Sequence, residues 1–239
     1  VNYTKRSYQE ELLDRDDIPF ADIKRNMQEL EFINTWLGGH AITIKGLSRL
    51  AGDSKKITVC EIGCGGGDNL MAIHRWASRK GIALEVIGID IKDECIEFAK
   101  ENCAEIIHST WICADYKLAL LPVKPDVIFS SLFCHHFSDD NVIQIFRWMH
   151  QHSRLGFFIN DLQRHPVAYH SIRVLSHIFS RSYMVKNDAP LSVLRGFSKS
   201  ELNSMMKASF NNRELLDYSI NWEWAFRWLL IGKCTPAST

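Results

Sequence analysis

Ile57-Thr58-Val59-Cys60-Glu61-Ile62-Gly63-Cys64-Gly65-Gly66-Gly67-Asp68-Asn69 decides how the rest of this 239-residue chain is read. A short apolar run, residues 57–62, breaks abruptly into glycine. Glycine is needed where the backbone turns sharply and lies against a bound molecule, because a Cβ would collide with it. Residues 69–79 then read as a helix, whose first turn directs free amides and a partial positive charge back at the glycines. Strand, glycine turn and helix in that order open an α/β unit with a ligand site at the strand's carboxyl end.

The same texture continues downstream. Residues 84–89 form a second apolar strand candidate ending at Asp90, and 110–114 a third ending at Asp115. Residues 126–131 and 156–160 are the fourth and fifth, with helices expected over 93–102, 141–152 and 200–208. Near-continuous apolar runs are what strands covered on both faces look like, and intervening helices argue for a parallel sheet. Residues 213–220 and 224–231 are strand candidates too close together for a crossover, so they form an antiparallel hairpin at the sheet edge. Upstream, residues 8–38 carry apolar side chains at helical spacing and read as two helices, interrupted at Asp16, Asp17 and Pro19 and stopped by Gly38-Gly39. A short helix follows over 41–50. The organisation expected is an N-terminal helical segment, 1–53, covering the ligand site, and a main domain, 54–239, with a helical cap insertion at about 162–198.

Composition narrows the function. Hydrophobic residues make up 46%, enough for one core without staples, and the formal net charge is zero. A neutral chain lacks the basic excess that draws proteins to nucleic acid, so no nucleic-acid partner is expected. The seven cysteines are scattered without a CxxC pair. Cys60 and Cys64 flank a glycine turn and have no partner pair at zinc spacing, so no metal is expected and the thiols read as reduced and mostly buried. No apolar core of a signal segment and no run of ~18 apolar residues occurs, which makes the cytoplasm the default compartment. The expected state is a monomer or homodimer.

Spacing separates two ligand classes. A dinucleotide fingerprint needs Gly or Ala at its third conserved site. Counting from Gly63 and Gly65 puts Asp68 there, a carboxylate where a pyrophosphate would sit; counting from Gly65 and Gly67 puts Leu70 there. The pattern that fits is acidic-x-Gly-x-Gly-x-Gly, namely Glu61, Gly63, Gly65 and Gly67. This resembles motif I of class I S-adenosylmethionine-dependent methyltransferases, and the likeness extends over about residues 54–233. It implies a Rossmann-like, seven-stranded, mostly parallel α/β sheet with an antiparallel C-terminal hairpin and helices on both faces. The implied cofactor is S-adenosyl-L-methionine, with S-adenosyl-L-homocysteine as product. The loop residues Glu61, Gly63, Cys64, Gly65 and Gly67 would bind it. Asp90, followed by Ile91, stands where an acid takes both ribose hydroxyls, a task an ionised carboxylate can perform. Asp115 and Tyr116 match the positions that contact and line the adenine, and Ser131 ends the strand facing the methyl donor.

The acceptor is less constrained. The Asn/Asp-Pro-Pro-aromatic run of amino-methylating DNA enzymes is replaced by Ser131-Leu132-Phe133-Cys134, and the nucleophilic Pro-Cys pair of cytosine enzymes is absent. A small-molecule acceptor is favoured. Leu132-Phe133-Cys134-His135-His136-Phe137 is similar to the Leu-His-His stretch of ubiquinone- and menaquinone-type methyltransferases. Residues 37–40, 160–166 and 188–193 resemble bacterial methyltransferases found beside phenolic-polyketide pathways. The resemblance implies O-methylation of a phenolic or quinol-like hydroxyl, with C-methylation of a quinol ring or a non-catalytic cofactor-binding subunit as alternatives. A phenol gains from a base of near-neutral pKa; His136 and His165, just past strand ends, are the candidates. His40 is a candidate contact to cofactor or substrate. Arg164 reads as a surface arginine, or else as a holder of a carboxylate or phenolate. Tyr169, Ile172, Leu175, Ile178 and Phe179 form a helical apolar stripe that either packs on the domain or walls the pocket. Alternation puts Trp224 and Trp228 on one face, as core.

Overall fold

The computed structural model describes residues 1–15, 17–210 and 217–234. β1 (Lys56–Ile62) is buried at every position after its first, as an apolar strand covered on both faces must be. It pairs in parallel with β2 (Ala83–Asp90) on one side and β4 (Val127–Ser131) on the other. β3 (Ser109–Cys113) lies beyond β2, and β5 (Gly156–Leu162) beyond β4, all parallel. β7 (Arg227–Lys233) runs antiparallel between β5 and β6 (Tyr218–Glu223). The resulting seven-stranded order is β3-β2-β1-β4-β5-β7-β6. It reverses direction between β1 and β4, the switch point where open α/β sheets form a crevice past their strand carboxyl ends.

Both faces of the sheet are covered. On one, Leu47 of α2 (Gly39–Ala51) and Ile73 of α3 (Asp68–Lys80) pack with Ile57, Val59 and Phe158. On the other, Phe146 and Met149 of α5 (Asp139–His152) and Leu202 and Met206 of α8 (Lys199–Ser209) pack with Cys60, Ile128 and Phe157. α4 (Asp93–Asn102) follows β2. Two further helices, α6 (Pro166–Phe179) and α7 (Tyr183–Arg195), stand between β5 and α8. α1 (Phe20–Trp36) ends at Gly38, whose φ of 76° turns the chain straight into α2. No described helix is long and apolar enough to cross a membrane. The cysteines are free, and all but Cys113 and Cys234 are buried.

Two expectations are corrected. The first of the two N-terminal helices is reduced to a turn of 3-10 helix, Leu12–Asp14. Part of its backbone is satisfied by the cap and not by further helical turns: Leu12 and Leu13 donate N–H groups to the Asp188 carboxylate, and Arg195 donates to the Gln9 carbonyl. The hairpin also turns later than alternation suggests. Trp224, Ala225 and Phe226 form the turn, with Phe226 at a φ of 57°, so Trp224 is 67% exposed while Trp228 is core. Residues 213–216 of the expected sixth strand lie outside the described residues.

Candidate active site

The glycine turn after β1 forms one wall of a cleft. Gly63, Gly65 and Gly67 have φ values of 66°, 49° and 76°, in the left-handed region that glycine occupies freely. A Cβ on Gly63 would fall 2.1 Å from the Phe133 ring and one on Gly67 2.6 Å from Cys103 Sγ, whereas one on Gly65 would find its nearest atom, Met27 Sδ, at 3.8 Å. The outer two glycines are thus demanded by packing, and the middle one keeps space open toward the cleft. Cys64, buried between them, donates its N–H to the Ile89 carbonyl at 3.0 Å, and burial pushes its thiol well up.

Asp90 ties the turn to the end of β2. Its Oδ2 accepts from Gly65 N–H at 2.9 Å and its Oδ1 from Lys92 N–H at 3.0 Å. Burial raises its pKa, against the pull of these backbone donors. Two further lone pairs stay available for a ligand's hydroxyls. The neighbouring Ile91 is 68% exposed, an apolar side chain next in sequence to that carboxylate.

Below the turn, a chain of polar contacts joins five elements, β1, α3, α2, β5 and β4. Glu61 Oε1 accepts from Asn69 Nδ2 at 3.0 Å, and Thr43 Oγ1 donates to Asn69 Oδ1 at 3.2 Å. Asn160 Nδ2 reaches Thr43 Oγ1 at 3.2 Å, the Gly39 carbonyl at 3.1 Å and Ser131 Oγ at 3.4 Å. Glu61 Oε2 is buried without a hydrogen-bond partner among the described residues, and burial pushes the carboxyl well up. A buried carboxylate oxygen left open at a cleft suits a cationic ligand group, since an unpaired buried charge is costly.

A second cavity, of about 350 Å³, opens beside the cleft and shares Leu30, Asn34 and Leu132 with it. Its walls are mainly apolar, among them Leu30 and Ile33 of α1, Ile172 and Leu175 of α6, and Trp224 and Phe226 of the hairpin turn. Leu132 holds a φ of 53°, rare for a bulky side chain, at the junction of the two spaces.

His135 and His136 reach this cavity from the 3-10 turn Cys134–His136 after β4. Each has Nδ1 2.7 Å from a carboxylate oxygen, His135 from Asp161 Oδ1 and His136 from Asp14 Oδ1. Burial alone would raise the Asp14 pKa, but the hydrogen bond and charge of His136 and the charge of Arg195 outweigh it and hold the group down to about 2. When the His136 ring is neutral, an ionised Asp14 accepting its Nδ1–H makes Nε2 the acceptor nitrogen. Glu11, Ser192 and Arg195 complete this corner. Ser192 Oγ donates to Glu11 Oε2 at 2.8 Å, and burial pushes the Glu11 carboxyl up to about 7. Glu11, His135 and His136 place ligand atoms within 4.8 Å of one another, a set that could hold a metal ion. Arg195 Nε, 3.5 Å from Glu11 Oε1, already brings positive charge to that corner.

The sequence candidates separate accordingly. Glu61, Gly63, Cys64, Gly65 and Ser131 line the cleft, Asp90 and Gly67 hydrogen-bond to Gly65 and Cys64 of its turn, and Ile91 is exposed. Asp115 lies past β3 and accepts from Lys117 N–H at 2.9 Å. Tyr116 turns into the core, edge-on to Trp148 with ring centroids 5.4 Å apart. His136 lines the cavity, whereas His165 does not: it caps α6, its Nδ1 accepting from Val167 N–H, and stacks on Phe226 at 4.9 Å. His40 pairs through Nε2 with Asp68 at 2.8 Å. Arg164 is neither a surface nor a site residue; it is buried and donates to the Tyr3 and Gly196 carbonyls and to Glu201. The apolar stripe of α6 splits, Ile172 and Leu175 facing the cavity and Ile178 and Phe179 exposed. Glu11, Asp14, Asn34, Asp161, Arg195 and Arg227 were not singled out from the sequence. The signal open to inspection was polar residues inside apolar elements, as in Asn160-Asp161 of β5 and Arg227 of β7.

With this geometry in hand, residues 59–156 match the family described as a methyltransferase domain. None of the curated proteins compared matches the chain. Among solved structures, the plantazolicin methyltransferase BpumL in complex with SAH superposes with a TM-score of 0.69 at 18% identity, covering 93% of this chain and 92% of that one. An SAM-dependent methyltransferase from Aquifex aeolicus gives 0.57 at 14% identity, over 81% of this chain and 89% of that one. Magnesium protoporphyrin IX methyltransferase from Synechocystis, with bound SAH, gives 0.53 at 10% identity, over 92% and 90%. At these identities the likeness is one of fold: residues 59–156, which match the methyltransferase-domain family, lie within a seven-stranded sheet of the order β3-β2-β1-β4-β5-β7-β6.

Proposed function

We propose that this chain is a methyltransferase that moves the methyl group of S-adenosylmethionine onto a phenolic or quinol-like hydroxyl of a small, largely apolar acceptor. One observation carries the reading: the glycine-turn cleft and the apolar cavity share Leu30, Asn34 and Leu132, so molecules in the two spaces would meet there. The SAH held in the BpumL complex supports the cofactor assignment. The open Glu61 oxygen fits the cofactor's ammonium, Asp90 its ribose hydroxyls, and Ile91 a face of its adenine, with Asp115 close to that edge.

When bound, the cofactor supplies an electrophilic methyl carbon on a sulfonium. The residues of the chain have three tasks. The apolar walls exclude water and hold the acceptor in line with that carbon, which is where much of the rate of such a displacement arises. His136 Nε2 takes the hydroxyl proton. Asp14, ionised and 2.7 Å from Nδ1, fixes the tautomer and stabilises the imidazolium that forms.

Calorimetric titration with S-adenosylhomocysteine, with NAD as control, tests the first half of the reading. Roughly micromolar binding of the former and silence from the latter is expected. Failure of S-adenosylhomocysteine to bind refutes it. The second half is tested by incubating the protein and S-adenosylmethionine with phenols and quinols and locating the new methyl group by mass spectrometry and NMR. A methyl group on ring carbon in every product would replace O- with C-methylation.

A further inference from the structure

Arg227 is the first residue of β7, opposite Leu162 of β5 and Glu223 of β6. It is 3% exposed and lines the apolar cavity, not the glycine-turn cleft. Its Nε and Nη1 are buried without a hydrogen-bond partner among the described residues. The carboxylates whose charge it feels are Asp161 and Asp68, and both are spent elsewhere. Asp161 accepts from His135 Nδ1 and from the N–H groups of His135 and Leu162. Asp68 pairs with His40. Burial draws the guanidinium pKa down to about 10, so the group keeps its charge at neutral pH.

A buried guanidinium is ordinarily saturated with acceptors, because removing it from water is costly and only hydrogen-bonded counter-charge offsets that. Arg164 and Arg195 of this chain obey the rule, each donating to several carbonyls and a carboxylate. Arg227 breaks it inside a ligand-sized cavity whose other walls are mostly apolar. Such cavities bind by apolar contact and orient by a few placed polar groups. A neutral phenol would leave the charge unpaired; a planar carboxylate matches guanidinium donors in geometry and charge.

We propose that Arg227 anchors a carboxylate of the methyl acceptor, so that the acceptor is an apolar or aromatic acid held by its acid group while its hydroxyl is presented to His136 and the cofactor. This rests on the methyltransferase reading above. The same chemistry is carried by the methionine carboxylate of the cofactor, and the test separates the two sources.

The test is calorimetry on the protein saturated with S-adenosylhomocysteine, using benzoate, 2-naphthoate and decanoate, each against its neutral primary amide. At least one acid should bind the wild type about tenfold or more tighter than its amide. Arg227→Met should erase that preference, leave S-adenosylhomocysteine affinity unchanged, and not lower the unfolding midpoint, since it removes an unpaired buried charge. R227K should keep part of the preference, and R227Q repeats the reading should the apolar variant fail to fold. No preference in any of the three pairs, or a preference that survives R227M, overturns the proposal. So does a tenfold loss of S-adenosylhomocysteine affinity in R227M, which would give the guanidinium to the cofactor. Absence of S-adenosylhomocysteine binding by the wild type is a different failure, that of the methyltransferase reading itself.

Discussion

The cleft at the glycine turn and the cavity beside it touch at three residues, yet the chain assembles them in opposite ways. The turn itself comes from one consecutive stretch, 61–69, pinned by an acid at the end of the neighbouring strand. Its chemistry is mostly backbone: left-handed glycines, amides of a helix start and a carboxylate that accepts them. The cavity draws on widely separated stretches, with Glu11, Ile33, His136, Leu175, Val193 and Arg227 each supplied from a different place. Its chemistry is mostly side chain, and its histidines are held by carboxylates distant in sequence, while Arg227 is left unpaired. A turn built locally can be shared by enzymes with different substrates, while a cavity built from scattered stretches is free to vary with the acceptor.

If that division is real, damage to one region should spare the other. His136→Ala should lower turnover by about 10²–10⁴-fold, the span of general base catalysis, without changing S-adenosylhomocysteine affinity. Asp14→Asn, which no longer holds the tautomer, should lose a large part of the same factor. Steady-state rates with a responsive phenol read both, and turnover within about threefold of wild type would remove His136 from the chemistry. Asp90→Ala is the reciprocal change. It should weaken S-adenosylhomocysteine binding by about 1.5–3 kcal/mol, the worth of hydrogen bonds to a charged group. An unaltered isotherm would end the ribose assignment.

The smallest effect lies in pH. Glu11, raised by burial to about 7 against the pull of His136, Ser192 and Arg195, holds a proton in the folded chain that the unfolded chain has released above its ordinary 4.5. Folding therefore takes up a proton between those values, and stability falls as pH rises through the window. Denaturant curves at about pH 5 and about pH 7.5 should differ by on the order of 1 kcal/mol for the wild type and by less for Glu11→Gln. Equal differences would mean that this corner of the cavity stays ionised throughout.

The same division explains what the sequence disclosed. Strand, glycine turn and helix are local patterns, and every parallel strand lies within a residue or two of where periodicity put it. The hairpin also appeared, but its turn came three residues later, because Trp224 belongs to the cavity wall and not to the ladder. The N-terminal segment misled for a related reason: its helical spacing is real, but Asp188 and Arg195 offer its backbone better partners. His165 and His136 are alike in sequence, each just past a strand end. Only three-dimensional placement gives one to a helix cap and the other to the cavity. Arg227 was hidden because an arginine among apolar residues is read as an edge position until its burial is known.

α1 has a consequence of its own. Met27, Leu30, Glu31 and Asn34 face the glycine-turn cleft, while Leu30, Ile33 and Asn34 face the cavity, so one helix roofs both spaces. On the proposed reading, a displacement of α1 that let spent cofactor out would also uncover the acceptor, and its return would shut water away from both at once. The two binding steps would then be kinetically tied even where they share no chemistry.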